Sequence, residues 1–156
     1  DEDSMLFIRG EISFNQYFNN IQYKINNGNL IDKKRFNLLW NQMEIGEMPT
    51  VKTLLSIKNK YKIYIITNTT RAHIGRLKYK FRFISQFDGV VTSDIAKAHK
   101  PNKNIFNFAC SLADVNPNEA IFIDDSYTNV KGALNLGMSA HQYKTQSAFV
   151  NFINTI

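Results

Sequence analysis

Two adjacent carboxylates, Asp124 and Asp125, end the short apolar run Ile121-Phe122-Ile123, and a helix-compatible pattern from Asn129 to Gly137 follows them. Apolar residues before an abrupt polar break suggest a buried strand whose end opens on a crevice. In open α/β sheets, ligands sit in that crevice, at the carboxyl ends of the strands. Neighbouring carboxylates repel, so a cation, a basic partner or full hydration must compensate. One reading of the pair is a solvated turn in which Asp125 helps to cap the next helix. The other is a Mg²⁺ site. Two polar strand or loop ends come earlier in the chain. Lys62-Ile63-Tyr64-Ile65-Ile66 reads as a strand ending at Thr67-Asn68, and a polar loop leads to Lys100-Pro101 before a helix. Each interval from Thr67 to Lys100 to Asp124 leaves room for a helix-containing crossover, so all three can converge at one sheet edge. A hydroxyl, backbone amides, an ammonium and a Mg²⁺-binding acid pair are the parts that hold a phosphoryl group and its developing charge.

The elements that must position these groups follow from periodicity. Residues 1–44 read as helical. Ser13 and Gln16 have the spacing of a capping box, and Phe14, Tyr17, Phe18, Ile21 and Ile25 recur at helical intervals. Asn26-Asn27-Gly28 supplies a stop, and Asp32 caps a second helix carrying Phe36, Leu39, Trp40 and Met43. A loop from Ile45 to Pro49 ends this part. From Thr50 the pattern alternates between helix and strand: a short helix to Lys60, strands near 62–66, 89–92, 121–123 and 138–143, and helical segments between and after them. Such alternation implies parallel pairing through right-handed crossovers, an α/β, Rossmann-like doubly wound parallel sheet. The expected organisation is a small, incomplete α-helical cap over residues 1–46 and an α/β core over 47–156.

At 156 residues with 44% hydrophobic content, the chain has the bulk of one globular domain with an appendage. No apolar run approaches the roughly 20 residues that span a bilayer, so no membrane partner is expected. The single Cys110 excludes an internal disulfide framework, suits a reducing, cytoplasmic setting, and falls on the buried face of a helix. The net charge of +6 suits an anionic ligand. Its Lys and Arg residues are scattered rather than clustered, which argues against nucleic acid. His73 and His141 have no partner at metal-ligand spacing, and His99 reads as a solvated loop histidine.

Taken in order, the polar strand ends resemble the motifs of the haloacid dehalogenase-like (HAD) hydrolases, in the subgroup with a helical cap after the first strand. Ile65-Ile66-Thr67-Asn68-Thr69 is similar to that family's second motif, and His99-Lys100-Pro101 through Phe106 to its third. Phe122-Ile123-Asp124-Asp125 through Asn129 to Gly137-Met138 is similar to its fourth. Arg9 to Ser13 and Phe36 to Trp40 resemble cap helices of its small-phosphatase members. The resemblance implies a Mg²⁺-dependent phosphoric monoester hydrolase acting on a small phosphorylated substrate through an aspartyl-phosphate. By that resemblance Thr67 hydrogen-bonds the transferring phosphoryl oxygen, Asn68 adds a backbone or side-chain contact, and Lys100 neutralises nucleophile and phosphate. Asp125 binds Mg²⁺ directly, Asp124 lies beside it as a ligand or through water, and Asn129 orients the acidic loop. A haloacid dehalogenase or a phosphomutase is an alternative on the same fold, although dehalogenation needs no metal site. A phosphoacceptor receiver domain would carry its acids first and its Lys last, the reverse of the order here.

The family's first motif is a strand ending in Asp-x-Asp, which supplies the nucleophile and, two residues on, the acid/base. The nearest match is Asp1-Glu2-Asp3, where no strand precedes Asp1 and the cap-like Arg9–Ser13 follows at once. The expectation is therefore a chain that begins inside the cap of a longer protein, with a core lacking the first-motif strand. The strands beside the gap would have unpaired edges, open to self-association. A catalytically inactive HAD-like binding module is the reading from another functional class.

Overall fold

The computed structural model describes residues 2–25, 32–42 and 49–156. The expectations at Asp1, Asn26-Asn27-Gly28, Met43 and the 46–47 boundary lie outside the described residues, as do the side chains of Ile25, Leu39 and Trp40.

The amino-terminal part is helical: α1 (Glu2–Ile8), α2 (Phe14–Ile25) and α3 (Lys33–Gln42). The α2 start is a reciprocal capping box, in which the Ser13 N–H donates to Gln16 Oε1 at 2.8 Å and the Gln16 N–H to Ser13 Oγ at 3.2 Å. Asp32 caps α3 by accepting from the Lys34 and Arg35 N–H groups. Tyr17, Phe18 and Ile21 are buried on one face of α2. Phe7 stacks on Tyr17 at 4.8 Å, and Phe36 lies 5.3 Å from Phe18, so aromatic contacts join the three helices.

The rest alternates as expected: α4 (Thr50–Ser56), β1 (Tyr64–Thr67), α5 (Arg71–Lys80), β2 (Gly89–Thr92), α6 (Ser93–Ala96), α7 (Lys103–Ala113), β3 (Ile121–Asp124), α8 (Tyr127–Asn135), β4 (Ser139–Gln142) and α9 (Gln146–Ile153). Two departures are local. Helix α4 ends at Ser56, with only hydrogen-bonded turns continuing to Tyr61. The expected polar loop after β2 contains α6, which is too short for any periodicity to reveal it.

Strand β1 pairs parallel with β2, setting Thr67 opposite Thr92, and β3 pairs parallel with β4, setting Asp124 opposite Gln142. The pairs are hydrogen-bonded within themselves but not to each other. A groove of about 540 Å³ lies between them, lined by Ile63 to Ile66 of the β1 side and Ile121 to Ile123 of β3, and floored by Ala109, Cys110 and Ala113 of α7. Cys110 is a free, buried thiol whose pKa is pushed up by burial, as packing rather than reactivity requires. The core beneath gathers Val91, Ile105, Phe106, Phe122 and Ala133. Its central contact is the edge-to-face pair Phe106–Phe122 at 4.9 Å. Among the described residues, no helix is long and apolar enough to cross a membrane.

Candidate active site

Thr67 and Asp124 are the last residues of β1 and β3, so the parallel strands present both at their carboxyl ends. The Lys100-Pro101 loop, which precedes α7, lies between them. Asn68 bonds Lys100 at both backbone groups: the Lys100 N–H donates to Asn68 Oδ1 at 2.7 Å, and Asn68 Nδ2 donates to the Lys100 carbonyl at 3.0 Å. The Lys100–Pro101 peptide is cis. From that loop the Lys100 ammonium reaches Asp124 Oδ2 at 2.6 Å, with Nζ 5.6 Å from the centre of the Phe122 ring.

Asp124 and Lys100 form a largely buried ion pair, their side chains 7% and 13% exposed. Such a pair is retained only where further hydrogen bonds satisfy it. Here the second carboxylate oxygen, Oδ1, accepts from the Ser126 N–H at 2.9 Å and from Asn129 Nδ2 at 3.0 Å. Both donors belong to the start of α8, whose positive end favours an anion. Burial pushes the Asp124 carboxyl pKa up, but the Lys100 ammonium, Asn129 and the Ser126 N–H outweigh it and hold the carboxyl below its ordinary range. Asp125 does not cap α8: the N-cap position is Ser126, and no side chain among the described residues caps the helix there.

Asp125 is exposed, and among the described residues no side-chain hydrogen bond or ion pair engages its carboxylate; its backbone carbonyl accepts from Gln142 Nε2 at 2.9 Å. The Thr67 hydroxyl is likewise without a side-chain partner among them, while its carbonyl accepts from Ser93 Oγ at 3.5 Å. A free carboxylate beside a second, already oriented one is a hard-oxygen donor set of the kind Mg²⁺ takes. Among the described residues no group of three or more acidic, His or Cys side chains gathers as a metal site.

Of the terminal acids, Asp3 lies on α1, where Asn20 Nδ2 and Lys24 Nζ donate to its carboxylate at 2.7 and 2.6 Å. It is on a helix, not at a strand end. His99 departs from the solvated reading: it is half-buried, and its Nδ1 is buried without a hydrogen-bond partner among the described residues.

Two residues had no sequence signal for their roles. Asp94 of α6 ties the start of α5 to the end of β2, accepting from the Arg71 N–H at 3.1 Å and Thr92 Oγ1 at 2.5 Å. Burial raises its carboxyl pKa, and Thr92 with Arg71 more than offsets this. Gly132 of α8 faces the Lys-Pro loop so closely that an added Cβ would lie 2.6 Å from the Pro101 carbonyl oxygen and 2.8 Å from Pro101 Cβ. Gly132→Ala is expected to cost about 1–3 kcal/mol by overpacking against backbone. Urea unfolding of the variant reads this, and wild-type stability would refute the contact.

A protein-family model described as "Hydrolase: haloacid dehalogenase-like hydrolase" matches residues 7–137, most of the chain. The chain belongs to the haloacid dehalogenase-like hydrolases. Among curated relatives, human N-acylneuraminate-9-phosphatase is 26% identical over 117 residues, 72% of this chain and 47% of that protein. The glyceraldehyde 3-phosphate phosphatase of Pyrococcus furiosus is 33% identical over 95 residues, 60% of this chain and 40% of its own length. This haloacid dehalogenase-like chain spans about half the length of the curated relatives it matches. A HAD family enzyme from Bacteroides thetaiotaomicron, crystallised with magnesium and inorganic phosphate, superposes with a TM-score of 0.74 at 27% identity, covering 90% of this chain and 74% of that one. The L-2-haloacid dehalogenase of Xanthobacter autotrophicus, at 20% identity, shares the fold with a TM-score of 0.72 over 99% of this chain and 66% of its own.

Proposed function

We propose that this chain is part of a Mg²⁺-dependent phosphomonoesterase that acts on a small phosphorylated metabolite through an aspartyl-phosphate. The observation that carries the reading is the joining of three motifs at the carboxyl ends of β1 and β3, with Asn68 bonded to Lys100 and Lys100 to Asp124. The phosphatase names of the relatives support a phosphorylated substrate. An exposed, unengaged carboxylate at Asp125 favours the phosphatase over the dehalogenase reading.

The chain's own residues take these roles. The Thr67 hydroxyl donates to a phosphoryl oxygen. The Lys100 ammonium neutralises charge on the phosphoryl group and on the attacking carboxylate, a fixed cation needing no reorganisation as charge develops. Asn129 and the Ser126 N–H keep Asp124 turned toward Lys100. Asp125, with Asp124 beside it, would hold Mg²⁺, which when bound supplies further charge neutralisation at the phosphoryl oxygens.

The nucleophile in this reading comes from a strand outside residues 1–156. The apolar groove between the free edges of β1 and β3 suits a fifth parallel strand. A strand running parallel there would end beside Thr67 and Asp124, where the first Asp of its Asp-x-Asp could attack phosphorus as the alcohol leaves. The cap and core divide near residue 46 in the same reading, with the cap helices α1 to α3 incomplete.

The test is hydrolysis of p-nitrophenyl phosphate by two proteins: residues 1–156, and the same chain extended upstream in frame to a strand ending in Asp-x-Asp. The extended protein is expected to turn over only with Mg²⁺, and residues 1–156 to remain at background. Mg²⁺-dependent turnover by residues 1–156, abolished by Asp1→Asn, would place the nucleophile at Asp1 and overturn the missing-strand account.

A further inference from the structure

The Asn68 side chain is exposed and bonds the backbone of the Lys-Pro loop. Its carboxamide oxygen takes the Lys100 N–H at 2.7 Å, and its amide nitrogen gives a proton to the Lys100 carbonyl at 3.0 Å. Two antiparallel hydrogen bonds from one planar group to one residue's backbone fix both the position and the orientation of that residue, as a neighbouring strand would. On its far side the same loop rests on α8, where Gly132 admits the Pro101 backbone. From there the Lys100 side chain extends over the Phe122 ring and onto Asp124. A Lys stem has four rotatable bonds, and holding its head in one place costs considerable rotamer entropy. Fixing the backbone removes part of the freedom that would otherwise spread the ammonium over several positions.

We infer that Asn68 is a positioning residue: its side chain aims the Lys100 ammonium by clamping the Lys100 backbone, and does not itself contact phosphate. The inference rests on the reading of Lys100 as the cation of a phosphoryl site, but it can be tested without turnover. Lys100 Nζ lies over the Phe122 ring, 5.6 Å from its centre, so the adjoining ε-methylene protons are expected to carry a ring-current shift that only a fixed side chain retains. In residues 1–156 labelled with ¹³C-lysine, Asn68→Ala is expected to lose more than half of that shift. Asn68→Asp keeps the acceptor and discards the donor, and should lose an intermediate share. The Ala133 methyl, buried in the core, should not move in either variant. An unchanged Lys100 shift in Asn68→Ala would overturn the inference. So would loss of the folded spectrum, which would make the clamp a support of the fold instead. Absence of phosphatase activity in the extended protein would refute the functional reading and leave this result standing.

Discussion

Lys100→Met is expected to lower the unfolding free energy by about 3 kcal/mol at neutral pH, the scale for breaking a buried pair by removing one partner. The loss comes mainly from Asp124, 7% exposed, left charged with only the Ser126 N–H and Asn129 as donors. Its pH dependence identifies the cause. In the native chain the Asp124 carboxyl is held below its ordinary range, so its stabilising contribution is complete above about pH 4 and is lost as pH falls through the folded value. Without Lys100, burial is opposed only by Asn129 and the Ser126 N–H, and the folded pKa is expected to rise above the unfolded one. The charged form is then penalised at neutral pH, and the penalty is relieved as acid protonates it. The deficit of Lys100→Met should therefore shrink between pH 7 and about pH 4 in urea titrations. Lys100→Met combined with Asp124→Asn should recover part of the loss. A deficit constant with pH would mean that packing of the Lys stem, not the ion pair, carries the effect.

The largest effects belong to catalysis in the extended protein. Changing the first Asp of its Asp-x-Asp strand should reduce kcat by about a million-fold, the scale on which loss of a nucleophile is felt in another hydrolase. Asp125→Asn should cost about a thousand-fold, since a metal's charge stabilisation is worth several kcal/mol, and excess Mg²⁺ should restore part of it. In residues 1–156, Mg²⁺ binding measured by isothermal titration should be weak, because Asp125 is exposed and, among the described residues, no third acidic group is gathered with the pair. Tight binding would contradict the sharing of the metal with an incoming strand.

The alternation of elements was legible because apolar strands end abruptly in polar residues, at Thr67 and at Asp124. The helix starts at Ser13 and Asp32 were legible because capping is local, confined to neighbouring residues. What escaped was contact between segments distant in the chain. Nothing near Asn68 announces that its amide will meet the Lys100 backbone, and nothing near Gly132 announces Pro101. The short helix α6, with buried Ser93 and with Asp94 bonded to Arg71, was hidden because one turn has no period. Asp3 matched a motif by residue type, while its place on α1 and its pairing with Lys24 depend on α2 lying alongside.

The most direct measurement is to map the phosphoryl group on the extended protein, quenched in acid during turnover of p-nitrophenyl phosphate and digested for mass spectrometry. The account predicts one added phosphoryl group on the first Asp of the upstream strand, lost when that residue is Asn. A phosphoryl group on Asp124 or Asp125 instead would contradict it, because those carboxylates are assigned to Lys100 and to the metal.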